Sequence, residues 1–161
     1  MSSAPKASPR RSASASARRR ARQAALTGLY QWLISHEDPA VIQVNVEEQE
    51  VHTGCDRPHF EALLHGCVGQ AAKLDAALAR HVDRPTADLS PVEHAALMIG
   101  AWELSNCIEI PYKVVINEAV ELAKSFGGTD GHKYVNGVLD RTAADLRPVE
   151  VAQARSAPRR P

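Results

Sequence analysis

Residues 90–106 read SPVEHAALMIGAWELSN. Ser90 can accept a hydrogen bond at a helix start, Pro91 brings the fixed φ that suits a first helical position, and Glu93 stands three residues after the serine, as in a capping box. Pro111 cannot continue a helix, so the stretch predicts a helix from Pro91 to about Asn106. Alanine dominates the apolar fraction and aromatics make up only 4% of the chain. That composition suits closely packed helices rather than sheet, and the fold class it predicts is all-α.

Working outward from this helix, the period of three and four recurs on both sides. Towards the carboxyl end, Val115, Ala119, Leu122, Ala123 and Phe126 share one face of a helix that begins around Pro111 to Lys113, with Gly127-Gly128 as its carboxyl cap. Asp130 is expected to cap a last helix carrying Val135, Val138, Leu139 and Thr142, closed by Arg147-Pro148. Residues 148–161 read as a loose, mildly basic tail. Towards the amino end, Leu74, Leu78 and Val82 mark a segment that ends before Pro85. Asp56 and Pro58 start a helix for Phe60, Leu63, Leu64, Cys67, Val68 and Ala71. Residues 40–50 fit a helical and an extended period about equally and are read as a short helix. Leu26, Leu29, Tyr30, Leu33 and Ile34 define the first helix, which starts at Arg18 and closes at His36-Glu37-Asp38-Pro39. The expectation is six to seven helices within residues 18–147, preceded by a disordered basic tail at 1–17 whose Ser, Ala, Pro and Arg cannot offset their ordering entropy.

The formal net charge of zero conceals a division. Lys6, Arg10, Arg11, Arg18, Arg19, Arg20 and Arg22 all precede the first carboxylate, Glu37, whereas residues 23–147 hold nine Lys or Arg against eighteen Asp or Glu. A basic arm on an acidic body suggests a polyanion for the one and a basic protein for the other. Arginines at a helix amino terminus oppose the macrodipole, each costing about 0.3–1 kcal/mol when exposed, so something outside the helix accounts for them. Arg22 points almost where Leu26, Leu29 and Leu33 point, so the buried face is expected to give way to solvent or ligand near Ala25.

The three cysteines, Cys55, Cys67 and Cys107, form an odd set without a CxxC. That argues against a disulfide framework and for a reducing, cytoplasmic setting. No apolar run approaches the ~20 residues needed to cross a bilayer. A mitochondrial transit peptide ranks second, because Arg18 to Arg22 run straight into a periodic helix. Cys55, His59, His65 and Cys67 are the nearest approach to a metal cluster, but His65 and Cys67 stand two apart on one helix, and no metal, cofactor or catalytic residue is assigned. No phosphate-cradling glycine pattern, zinc-protease motif or nucleophile elbow occurs, so the chain does not read as an enzyme. The glycine-rich stretch 126–133, FGGTDGHK, could offer backbone amides, an aromatic and Lys133 to an RNA strand, although on local grounds a plain connection between two helices is the stronger reading.

Four segments taken together, ARRRARQAALTGLYQW, SPVEHAALMIGAWELS, IPYKVVINEAVELAKSFGG and HKYVNGVLD, resemble the NusB family of bacterial transcription antitermination factors over residues 18–147. The resemblance implies a compact all-helical domain of two helix bundles that binds the single-stranded boxA element of ribosomal RNA leaders. It also implies pairing with NusE, a small-subunit ribosomal protein, and entry into the RNA polymerase antitermination complex with other Nus factors. Carried over by position, Arg18, Arg19, Arg20 and Arg22 match the family's RNA-binding arginines, and Lys113, Phe126, Asp130 and Lys133 would border the RNA path. Tyr30 and Glu93 match positions on the NusE-facing side. Some members form homodimers that hide the RNA surface. Gly128-Thr129 departs from the helix-compatible residues expected in the loop. The enzymatic rival is the NusB-like module at the amino end of some ribosomal RNA methyltransferases. Against it, nothing after Arg147 reads as a cofactor loop or a catalytic cysteine motif. A helix-turn-helix DNA binder is disfavoured because the basic residues sit on a terminal arm.

Overall fold

The computed structural model describes residues 7–128 and 130–157, with side chains from residue 15 onward. Among them are eight α-helices and no strand: α1 (Ala7–Ser35), α2 (Pro39–Glu47), α3 (Arg57–Gly69), α4 (Ala71–Ala79), α5 (Pro91–Asn106), α6 (Tyr112–Phe126), α7 (Gly131–Leu146) and α8 (Pro148–Ser156). Short 3-10 turns lie at Glu50–His52 and Thr86–Asp88. The chain divides into two compact units, Met1–His65 and Gly66–Pro161. No described helix is long and apolar enough to cross a membrane.

In the first unit α1 lies against α2 and α3 through small residues. Ala21, Ala24, Ala25, Leu26 and Leu29 are buried with Ile42, Val46, Phe60, Leu63 and Leu64. A β-carbon added at Gly28 would meet Leu64 Cδ1 at 3.0 Å and Ile42 Cγ2 at 3.3 Å, so the absent side chain permits the close approach. His36, at a left-handed φ of 54°, stops α1, and its N–H donates to Trp32 O at 2.8 Å. Asp38 then opens α2 by accepting from Ala40 N at 2.8 Å.

Two expectations about α1 are corrected. It begins at Ala7, not Arg18, so residues 7–17 are helical where disorder was expected; residues 1–6 lie outside the described residues. Alanine and arginine propagate a helix well, and Pro9 falls in its first turn, where no N–H partner is lost. The apolar face also differs. Leu26 and Leu29 are buried, but Leu33 is only half-buried and Tyr30 and Ile34 are exposed.

In the second unit α5 is the central helix, buried continuously from His94 to Ala101, with α6 and α7 packed on it. A β-carbon at Gly100 would meet Leu139 Cδ1 at 2.5 Å, so the absent side chain leaves room for Leu139 of α7 against α5. The expected cap is present, since Ser90 Oγ accepts from Glu93 N at 3.3 Å. Glu93 turns its carboxylate onto that same hydroxyl, Oγ to Oε2 2.5 Å. Gly127 caps α6 as expected, with its N–H on Ala123 O at 2.9 Å. A β-carbon there would stand 2.7 Å from that oxygen, so glycine is required by space and not by φ.

Three further differences lie in this unit. Asp130 precedes α7 but makes no side-chain cap hydrogen bond, its carboxylate being turned towards Lys133 at 3.7 Å. Phe126 is 41% exposed, because α6 ends there and nothing covers its last turn as it covers Leu122 and Ala123. Residues 148–156 form α8 instead of a loose tail. Pro148 sits at its start, Val151 is buried, and Glu150 Oε2 accepts Tyr112 N at 2.8 Å at the beginning of α6. Arg147, just before α8, is buried and donates to four carbonyls at the end of α5 and beyond: Glu103 O at 3.1 Å, Leu104 O at 2.9 Å, Cys107 O at 2.8 Å and Ile110 O at 2.5 Å. Its Nη1 also lies 3.1 Å from Glu150 Oε1. One guanidinium thus supplies partners to Leu104 O and Ile110 O and shares Glu103 O and Cys107 O with backbone N–H groups, at the helix end where a cation is favoured.

Candidate nucleic-acid interface

The arginine segment lies within α1, where its helical spacing divides the cations between faces. Ala21, Ala24 and Ala25 face the core, and Arg22 turns with them, to 4% exposure. The buried face, expected to give way near Ala25, runs on to Ala21 and Arg22, since small alanines let the core extend a turn further towards the amino end. Arg19 and Arg20 are exposed, and Arg18 is half-buried. The turn leading into α3 packs beside them. Asp56 N donates to Ala17 O at 2.9 Å, Asp56 Oδ2 lies 3.7 Å from Arg18 Nε, and Gly54 sits under the end of Arg20. Burial, and then the charge of Asp56, raises the Cys55 thiol above its usual pKa. Tyr30 is exposed on the same helix, about 15 Å beyond Arg20 at 1.5 Å per residue.

The second group surrounds the connection between α6 and α7. Phe126, Asp130 and Lys133 are exposed, and the last two pair across one turn. Glu93 belongs here as well, because a β-carbon at Gly131 would meet its Cδ and Cγ at 3.3 Å, and Val92 lies as close to Gly127. Thus a residue expected on the protein-facing side borders the loop expected to meet RNA. Lys113 is exposed but sits at the other end of α6, thirteen residues and about 20 Å from Phe126.

Sequence reasoning missed a third component of this group. Tyr134 Oη donates to Asp83 Oδ1 at 2.9 Å, Arg84 Nε lies 2.8 Å from the same oxygen, and the Arg84 guanidinium rests over the Tyr134 ring at 5.4 Å. These hydrogen bonds, from Arg84 first and then Tyr134, push the Asp83 carboxyl down to about 2. The arrangement presents a fixed cation and an aromatic ring one residue from Lys133. Arg84 stood in the sequence as a lone cation before Pro85, and the fifty residues separating it from Tyr134 left no local signal.

The cysteines and histidines go elsewhere. Cys67 donates to Met98 O at 3.6 Å, His65 Nε2 meets Gln43 Oε1 at 2.5 Å, and burial raises the Cys67 thiol well above its usual value. Among the described residues no three His, Cys, Asp or Glu are grouped to hold a metal.

By class this is an all-helical protein, among its described residues, with a basic amino-terminal helix and a polar, glycine-containing loop that carries a cation and an aromatic. The NusB family model matches residues 19–144. The transcription antitermination protein NusB of Ralstonia nicotianae is 56% identical over 151 residues, covering 94% of each chain. That of Bordetella pertussis is 52% identical over 149 residues, covering 90% of this chain and 95% of its own. Among solved structures, T. maritima NusB matches with a TM-score of 0.72 at 29% identity over 84% of this chain and 96% of its own. A chain from a crystal structure of the antitermination factors NusB and NusE in complex with dsRNA matches with a TM-score of 0.70 at 25% identity, over 79% of this chain and 96% of its own. The chain belongs to the NusB family of transcription antitermination proteins.

Proposed function

We propose that this antitermination protein binds boxA-type single-stranded RNA of ribosomal RNA leaders and, with NusE, joins the RNA polymerase antitermination complex. The observation that carries the reading is the exposure of Arg19 and Arg20, with Arg18 half-buried beside them, on one rigid helix where planar guanidinium groups can hold phosphates and stack on unpaired bases. Phe126, Lys133 and the Arg84–Tyr134 pair supply a second contact region of the kind that holds a single strand by stacking and charge. Lys113 is a peripheral phosphate contact. Exposed Tyr30 and half-buried Glu93 are the positions offered to NusE, a basic partner suited to a chain that is acidic after its arginine segment. The relatives matched along nearly their whole length are named antitermination proteins, which favours this reading over a methyltransferase module.

A second reading, recognition of duplex RNA, is favoured by the crystallised relative described with dsRNA. Fluorescence anisotropy of labelled boxA RNA, its duplex and a scrambled single strand, with and without NusE at two salt concentrations, separates the readings. Preference for single-stranded boxA that tightens with NusE is the expected result. Preference for the duplex would favour the second reading. Equal binding to all three, unaffected by NusE, would refute both.

A further inference from the structure

We propose that the turn at residues 53–56 is a seat for the arginine segment. In it Gly54 is a positioning residue for Arg20 and Asp56 an internal counter-ion for Arg18; the inference rests on the RNA-binding reading above.

Gly54 meets two demands at once. Its φ is +73°, a conformation that side chains rarely adopt, and a β-carbon there would collide with Arg20 Nη1 while lying 3.6 Å from Cζ and 3.8 Å from Cδ. The guanidinium therefore rests on bare backbone, its far side turned outwards. A long side chain that would otherwise sample many rotamers is narrowed to a few, which lowers the entropy lost when it takes a phosphate.

Asp56 holds the neighbouring turn of α1 in two ways. Its N–H donates to Ala17 O at 2.9 Å, while its carboxylate divides, Oδ1 accepting His59 N at 3.2 Å at the start of α3 and Oδ2 standing 3.7 Å from Arg18 Nε. The last distance is that of an ion pair and too long for a hydrogen bond. Arg18 Nε is buried and has no hydrogen-bond partner among the described residues. A guanidinium so held is partly neutralised and still short of an acceptor. A phosphate oxygen that reached it would gain the bond that Asp56 does not make, against the repulsion of the Asp56 charge. The free protein thus offers Arg20 directly and Arg18 conditionally, so loose polyanions meet fewer cations than a strand that settles fully on the helix.

The test uses the full chain and a labelled single-stranded boxA RNA over a salt series. Asp56→Asn keeps a good cap for α3 and removes the charge. It should tighten binding several-fold and steepen the slope of log K on log salt by about 0.7, one further phosphate on a single strand. In an Arg18→Ala background the same change should do neither. Gly54→Ala should weaken binding several-fold, and this loss should vanish in an Arg20→Ala background, as it must if glycine acts through that side chain. Gly54→Asn, better suited to a positive φ, should weaken binding equally with a smaller fall in melting temperature. The seat is overturned if Arg18→Ala and Arg20→Ala each weaken binding while Asp56→Asn leaves the slope unchanged or the Gly54→Ala loss persists without Arg20. If neither arginine variant weakens binding, both the RNA-binding reading and the seat fail.

Discussion

Arg147 is buried, and its donors reach four backbone carbonyls and one carboxylate. Removing it would strand the carbonyls of Leu104 and Ile110, so Arg147→Ala should cost roughly 3 kcal/mol in urea unfolding, and Arg147→Lys should recover little because an ammonium cannot reproduce the planar fork. Glu150 carries the linked pH dependence. Its carboxyl is held below the usual range by the Tyr112 N–H and then by Arg147. A depressed native pKa contributes stability that is present above the unfolded value and lost as pH falls through the native one. Stability should therefore decline as pH drops below about 4.5, and an acid titration followed by circular dichroism should show a shallower decline in Glu150→Gln. At the loop, Asp130 makes no cap and pairs with Lys133, so Asp130→Asn should tighten RNA binding, by roughly two- to tenfold at low salt, without lowering the melting temperature. The roles of Arg147 and Glu150 were not visible in the sequence, where Arg147 read as the close of a helix, because they depend on partners that only the folded chain supplies; Asp130 was legible as an acid beside the RNA path, but not its pairing with Lys133.

At the scale of the element, α5, α6 and α7 were legible because local signals and global packing agree. Ser90 and Pro91 open α5, Pro111 precedes α6 and Gly127 ends it, and the periodic residues Val115, Ala119, Leu122, Val135, Val138 and Leu139 are all buried. The ends of the chain were not legible for the opposite reason. Residues 7–17 lack apolar periodicity, and α8 contributes a single buried side chain, Val151, so neither announces itself by pattern. The first helix misled in its face as well, since alanines and Gly28 share the buried stripe with Leu26 and Leu29, while Tyr30 and Ile34 lie outside it. Close helix approach carries its own prediction: Gly100→Ala should destabilise by about 1–3 kcal/mol, because Leu139 is fully buried and cannot move aside freely, with a lowered melting temperature as the readout. For the arginine segment, Arg19 and Arg20 changed together to Ala should flatten the salt slope for boxA RNA by about 1.4, and an unchanged slope would remove α1 from the RNA site.

For the whole molecule, a zero net charge conceals an uneven order of charges, and the arginine segment ahead of the acidic remainder was readable from that order alone. Where the chain divides was not, since the boundary between His65 and Gly66 falls inside α3 with no break in its helical pattern. If RNA and NusE bind one molecule cooperatively, linkage requires each to raise the affinity for the other by the same factor. Titrating NusE against protein with and without saturating boxA RNA measures that equality. The anchoring of α8 bears on where this protein can be shortened. The family match ends at residue 144, yet Arg147 bonds back into α5 and Glu150 into α6. A chain trimmed at the match boundary would lose the guanidinium, and one trimmed just after Arg147 would lose its paired acid and Val151. In either case amide protons in the last turn of α5 and the first turn of α6 should exchange faster with solvent while those in mid-α5 stay protected. The folded body extends past the point where the family match stops.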